Sequence, residues 1–175
     1  MMQNTQQWLD KVKSNQVELN HWLERQYVGE QLAANRIEKL AIQQEDNRYG
    51  KVLQRIANDE RKHAEWVREL LVTRNIDIPV LSMDGTRYWS PILSKITSFE
   101  EVAAVGHHAE AMRLIRIKAL AADTEIDSDI RDVFTKILPD EEFHTKAFAA
   151  MTDDETIEKT RDWHEEGLQV LGLEI

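Results

Sequence analysis

The chain contains no cysteine. Disulfides, thiolate zinc sites, iron–sulfur clusters, a rubredoxin-type iron centre and cysteine nucleophiles are therefore all excluded. Glycine and proline are scarce, at six and three of 175 residues. That is too few for the closely spaced turns of a sandwich or barrel. Long hydrophobic runs are missing as well. The longest, Ala147 to Met151, has five residues, against the ~20 needed to cross a bilayer. The opening Met1-Met2-Gln3-Asn4-Thr5-Gln6-Gln7 shows no apolar stretch of the kind a secretory signal carries. The expectation is a soluble, cytoplasmic protein with no membrane partner. Basic charge is in deficit, 22 Lys and Arg against 32 Asp and Glu, a formal charge of −10. This disfavours a phosphate-tracking surface, so no nucleic-acid partner is expected. What remains is 42% hydrophobic and 31% charged, apolar enough to build a core. Its length suits one domain, and residues 1–175 are read as one.

Apolar residues recur at helical spacing over most of the chain. Leu19, Leu23, Tyr27, Ala34, Ile37 and Ala41 form one stripe, and Val52, Ile56, Val67 and Leu70 a second. Phe99, Ala103, Gly106, Leu114 and Ile117 form a third; Ile126, Ile130, Val133, Ile137, Phe148 and Met151 form a fourth. The spacing predicts helices over about 17–44, 48–74, 98–121 and 127–151. The first is expected to reach back towards Trp8 through Val12. A further C-terminal helix is predicted over about 153–170, with Thr152 as N-cap and Ile157, Leu168 and Leu171 buried. Glu45-Asp46-Asn47 and Asp123-Thr124-Glu125 are short linkers, so each joins antiparallel neighbours. Residues 75–97 hold Pro79, Asp84-Gly85 and Pro91 and carry no sustained stripe. Such a connector can run back along helices ~40 Å long, since 23 residues span ~75 Å when extended. The predicted fold is all-α: a ferritin-like four-helix bundle over about 17–151, with a long crossover between helices two and three and the additional C-terminal helix.

Each stripe is interrupted at its midpoint by polar residues: Glu30, then Glu60 with His63, then Glu110, then Glu141 with His144. An ionised carboxylate on a buried stripe costs several kcal/mol unless it is paired, protonated or bound to metal. Four facing one another oppose each other's ionisation. Two divalent cations resolve the conflict, because their charge cancels that of four carboxylates. Mixed Glu/His donors suit iron or manganese better than calcium or magnesium. The spacing is independent support. Glu60-Arg61-Lys62-His63 and Glu141-Glu142-Phe143-His144 each set a carboxylate and an imidazole three residues apart on one helix face. Glu30 and Glu60 are 30 residues apart, and Glu110 and Glu141 are 31 apart. The pattern of a lone Glu followed by Glu-x-x-His thus occurs twice, at mid-helix positions that can share one level of a bundle.

With these motifs the chain resembles the ferritin-like di-iron carboxylate superfamily over about residues 17–151, in its rubrerythrin-like form but without a rubredoxin domain. The resemblance implies that Glu30, Glu60, His63, Glu110, Glu141 and His144 ligate two iron ions, with manganese or a manganese–iron pair as the alternative. It implies that Glu60 and Glu141 lie between the metals and that Glu30 and Glu110 are terminal. Asp59 and Asp140, each preceding a ligand Glu, resemble the aspartates that hold ligand histidines in several di-iron oxygenases; the plainer reading is an exposed helix Asp. Rubrerythrins tend to carry a second glutamate where this chain has His107. That residue reads as an extra ligand, a catalytic proton carrier or a hydrogen-bonded core histidine. Tyr27 and Trp66 lie three residues from Glu30 and His63, and their readings are redox chemistry or aromatic packing. His21, His108 and His164 read as structural. Gly29 and Gly106 permit either close helix approach or access to the metals. Pro139, inside the fourth stripe, should bend or loosen that helix.

The activity implied is that of a di-iron oxidoreductase reacting with hydrogen peroxide or dioxygen and drawing electrons from an external donor. A monooxygenase acting on a small organic substrate is the second reading. A ferritin-like ferroxidase or a non-catalytic metal-binding protein is the third. The N-terminal segment and the C-terminal helix are expected to offer apolar surface for a homodimer.

Overall fold

In a computed structural model of the chain, the structure describes residues 2–81 and 87–174. Seven α-helices occur among the described residues: α1 (Thr5–Lys13), α2 (Gln16–Gln43), α3 (Arg48–Thr73), α4 (Phe99–Ala122), α5 (Ser128–Ala149), α6 (Asp154–Lys159) and α7 (Arg161–Leu171). The fold is all-α. The chain divides into two compact units, Val12–Gly85 on one hand and Met1–Lys11 with Thr86–Ile175 on the other.

In the Val12–Gly85 unit, α2 packs along α3, and the chain turns between them in residues 44–47. The turn is tight. A Cβ at Gly50 would come within 2.5 Å of the Gln44 carbonyl oxygen, so only glycine fits. Asn15 and Asn47 cap the two helices, their side chains accepting from the backbone N–H of Glu18 and Tyr49. At the far end of α3, Asn75 takes φ 55°. The N–H groups of Asn75 and Ile76 then satisfy the carbonyls of Val72 and Leu71 at 3.0 and 2.9 Å.

In the other unit, α4 packs on α5 and also touches α6 and α7. Ser98 and Glu101 form a capping box at the start of α4. Glu101 is buried, yet its carboxylate is fully engaged. Oε2 accepts from the Thr97 N–H, the Thr97 hydroxyl and the Ser98 N–H at 2.7, 2.9 and 3.2 Å, and Oε1 from Lys159 Nζ of α6 at 2.6 Å. The Lys159 bond, with the Thr97 bonds, pulls the Glu101 pKa down to about 2. Gly106 of α4 lies against α5: a Cβ there would meet Phe148 Cδ1 at 2.8 Å. Pro139 sits inside α5 without ending it.

Four expectations change in detail. The first helix does not continue to Trp8. Asn15 is extended, with φ −165° and ψ 165°, and its cap starts α2 afresh, leaving α1 as a separate helix. The C-terminal helix divides at Thr160, whose hydroxyl bonds back to the carbonyls of Thr156 and Ile157. Its N-cap is Asp153 rather than Thr152, because the Asp153 carboxylate accepts from the Thr156 N–H at 2.7 Å. Leu168 is buried as expected, but Ile157 and Leu171 are half-buried. The Asp84-Gly85 part of the predicted crossover lies outside the described residues. Residues 87–95 form turns tied to α7: Arg87 donates to the Val170 carbonyl, Tyr88 bonds His164, and Lys95 pairs with Glu166. Trp8 of the N-terminal segment and Leu168 and Leu173 at the C-terminal end are buried within the chain.

Candidate metal centre

Each unit holds one carboxylate–carboxylate–imidazole triad. In the first, α2 supplies Glu30 from the face that also buries Ala33, Ala34 and Ile37. The neighbouring α3 supplies Glu60 and His63 from the face of Ile56, Ala57, Ala64 and Val67. All three side chains are fully enclosed. His63 Nδ1 lies 3.9 Å from Glu30 Oε2 and 4.0 Å from Glu60 Oε2. These separations exceed a hydrogen bond. They fit donors around one ion, since two atoms each ~2.1 Å from a metal can be up to ~4.2 Å apart. Gln26, one turn before Glu30, donates its amide to Glu30 Oε1 at 2.5 Å and fixes that carboxylate.

The second triad repeats the scheme on α4 and α5. Glu110 is 5% exposed, and Glu141 and His144 are fully buried. His144 Nδ1 stands 4.0 Å from Glu141 Oε2. In each triad the three ligand atoms lie within 4.8 Å of one another. Here the fixing group is a cation: Arg113 Nη2 donates to Glu141 Oε1 at 3.0 Å, and Nη1 is 3.6 Å from Glu110 Oε2. Arg113 and Gln26 stand out by no motif in the sequence. Their signal is spacing alone, one turn along the helix from Glu110 and Glu30.

All six predicted ligands thus fall into two buried groups. Carboxylate and imidazole donors without thiolate fit iron or manganese, and the buried groups fit the donor set of a di-metal protein. The neighbours separate according to their partners. His107 Nδ1 lies 3.0 Å from the Thr145 carbonyl oxygen. A carbonyl can only accept, so this nitrogen carries hydrogen and is committed to the backbone, and His107 belongs to neither triad. His108 bonds the Ile157 carbonyl at 3.0 Å and stacks on His164, ring centroids 4.9 Å apart; both are structural, as expected. Burial, then the neighbouring imidazoles, lowers the His164 pKa to about 4. Asp59 accepts from Lys62 at 2.9 Å and lies 3.7 Å from Arg55 Nε, while Asp140 is half-buried. Trp66 is half-buried between the His63 ring, 5.8 Å away, and the Lys62 ammonium at 5.3 Å. Tyr27 is half-buried one turn before Glu30. The two glycines part company. Gly106 serves close approach, whereas a Cβ on Gly29, beside Glu30, would meet nothing within 4 Å.

No described helix is long and apolar enough to cross a membrane. No curated protein and no solved structure matches the chain. The family model for rubrerythrin matches residues 21–152, which contain all six predicted ligands. The chain belongs to the rubrerythrin family.

Proposed function

We propose that the protein is a di-iron oxidoreductase that reduces hydrogen peroxide, with iron held by the two triads. The observation that carries this reading is the pair of buried Glu/Glu/His groups within the rubrerythrin match. Glu30, Glu60 and His63 would hold one ion and Glu110, Glu141 and His144 the other. Bound iron would supply the electrons that cleave the peroxide O–O bond. Two electrons and two protons convert each peroxide to two waters. The chain's own residues position the ions: the four carboxylates offset most of the divalent charge, and the two imidazoles add neutral donors. His107 would carry protons. Its Nδ1–H is fixed on the Thr145 carbonyl, so Nε2 is the nitrogen that can take up or release the second proton. With no cysteine in the chain, electrons would come from an external donor.

The test is stopped-flow reoxidation of the ferrous-loaded protein by each oxidant, with mass measurement in solution. Faster reaction with hydrogen peroxide than with dioxygen is expected. Faster reaction with dioxygen, accompanied by hydroxylation of an added organic compound, would replace this reading with a monooxygenase. Accumulation of iron in a 24-subunit shell would replace it with storage.

A further inference from the structure

Arg113 sets one triad apart. Its guanidinium donates to Glu141 on the neighbouring helix at 3.0 Å and approaches Glu110 on its own helix at 3.6 Å. Side-chain exposures are 17% for Arg113, 6% for Glu110 and 0% for Glu141. A surface pair three residues apart on one helix would be worth little. A charge-assisted bond to a wholly buried carboxylate on another helix is a different case. It divides the two oxygens of Glu141. Oε1 is taken by Arg113, and Oε2 is the oxygen 4.0 Å from His144 Nδ1.

We propose that Arg113 is a built-in counter-ion that sets the metal affinity of the Glu110–Glu141–His144 triad. It confines Glu141 to Oε2 as the ligand oxygen and lowers the charge offered to the ion. Glu110 and Glu141 together carry −2, and Arg113 reduces this to −1, so a divalent ion there is only half neutralised. The guanidinium also holds the two carboxylates together before metal arrives, offsetting their mutual repulsion. The net effect on binding is a weaker, charge-tuned site, because the cation opposes any incoming positive ion. This inference rests on the proposal that the triads bind metal.

The test is cobalt(II) titration followed by ligand-field absorption, in the full chain and in a His63→Ala background that isolates this triad. Arg113→Gln removes the charge and keeps an amide donor, and it should tighten cobalt binding about tenfold or more, the scale of one charge-assisted bond. Arg113→Lys keeps the charge and should leave affinity within about threefold. A second readout needs no substitution: nitrogen-15 spectra of the arginine side chains in unaltered protein with zinc(II). The Arg113 Nη hydrogens should stay protected in the zinc form, as the Oε1 bond persists. Unchanged cobalt affinity in Arg113→Gln, or loss of that protection on zinc binding, would overturn the role of Arg113 and leave the metal site standing. Failure of the unaltered protein to bind cobalt would instead overturn the metal reading itself.

Discussion

Alanine at two helical glycines beside the proposed ligands should have opposite effects on stability. Gly106 lies one turn before Glu110, and Gly29 adjoins Glu30. A Cβ at Gly106 would stand 2.8, 2.9 and 3.1 Å from three ring carbons of Phe148, which is itself only 2% exposed and enclosed in the core. Overpacking of this kind costs ~1–3 kcal/mol, against ~1 kcal/mol gained in replacing glycine inside a helix. Gly106→Ala should therefore lose about 1 kcal/mol net. At Gly29 nothing lies within 4 Å of the added carbon, so only the favourable term acts and Gly29→Ala should gain ~0.5–1 kcal/mol. The two variants should differ by about 2 kcal/mol in urea denaturation. In a chain of this length that separates their melting temperatures by ~4–8 °C. Phe148 also follows His144 by one turn, so Gly106→Ala should disturb metal binding while Gly29→Ala leaves it intact. Equal stability in the two variants, or a gain at Gly106, would refute the packing argument.

Acid should destabilise the fold in two windows. His164, whose folded pKa is about 4, binds fewer protons folded than unfolded. Stability is full above the ordinary value near 6.5 and falls between there and about 4, and His164→Gln should flatten that limb of the pH–stability curve. Glu101, with its pKa near 2, contributes stability present above about 4.5 and lost as pH falls from 4.5 towards 2. Glu101→Gln should remove that lower limb and cost about 2 kcal/mol at neutral pH, below the full linkage value because Lys159 is 59% exposed. Divalent metal at a hundredfold excess over Kd should add about 2.7 kcal/mol per site, and the scanning-calorimetry midpoint should rise by ~5–10 °C for each site filled and return with chelator.

The buried Glu and His positions are legible in the sequence because the same periodicity that marks a core face makes a carboxylate on that face conspicuous. Glu60 and His63 interrupt a stripe of Ile56 and Val67, and both are buried beside those residues. Arg113 escaped because an arginine one turn from a glutamate is ordinary on a solvated helix. Only the packing of α4 on α5 brings it to Glu141. Glu101 shows the converse, a buried carboxylate with a structural purpose, satisfied by Thr97, Ser98 and Lys159. The breaks at Asn15 and Thr160 were hidden because both residues interrupt apolar patterns that continue on either side. There local side-chain hydrogen bonds overrode the wider periodicity.

The central claim is that the six buried ligands bind two metal ions per chain. Metal analysis of protein loaded with ferrous iron or manganese and freed of excess tests it directly, in the unaltered chain and in a Glu60→Ala, Glu141→Ala double variant. Two ions per chain, lost in the double variant that remains helical by circular dichroism, is the predicted result. Metal content that is unchanged by removal of both glutamates would contradict it.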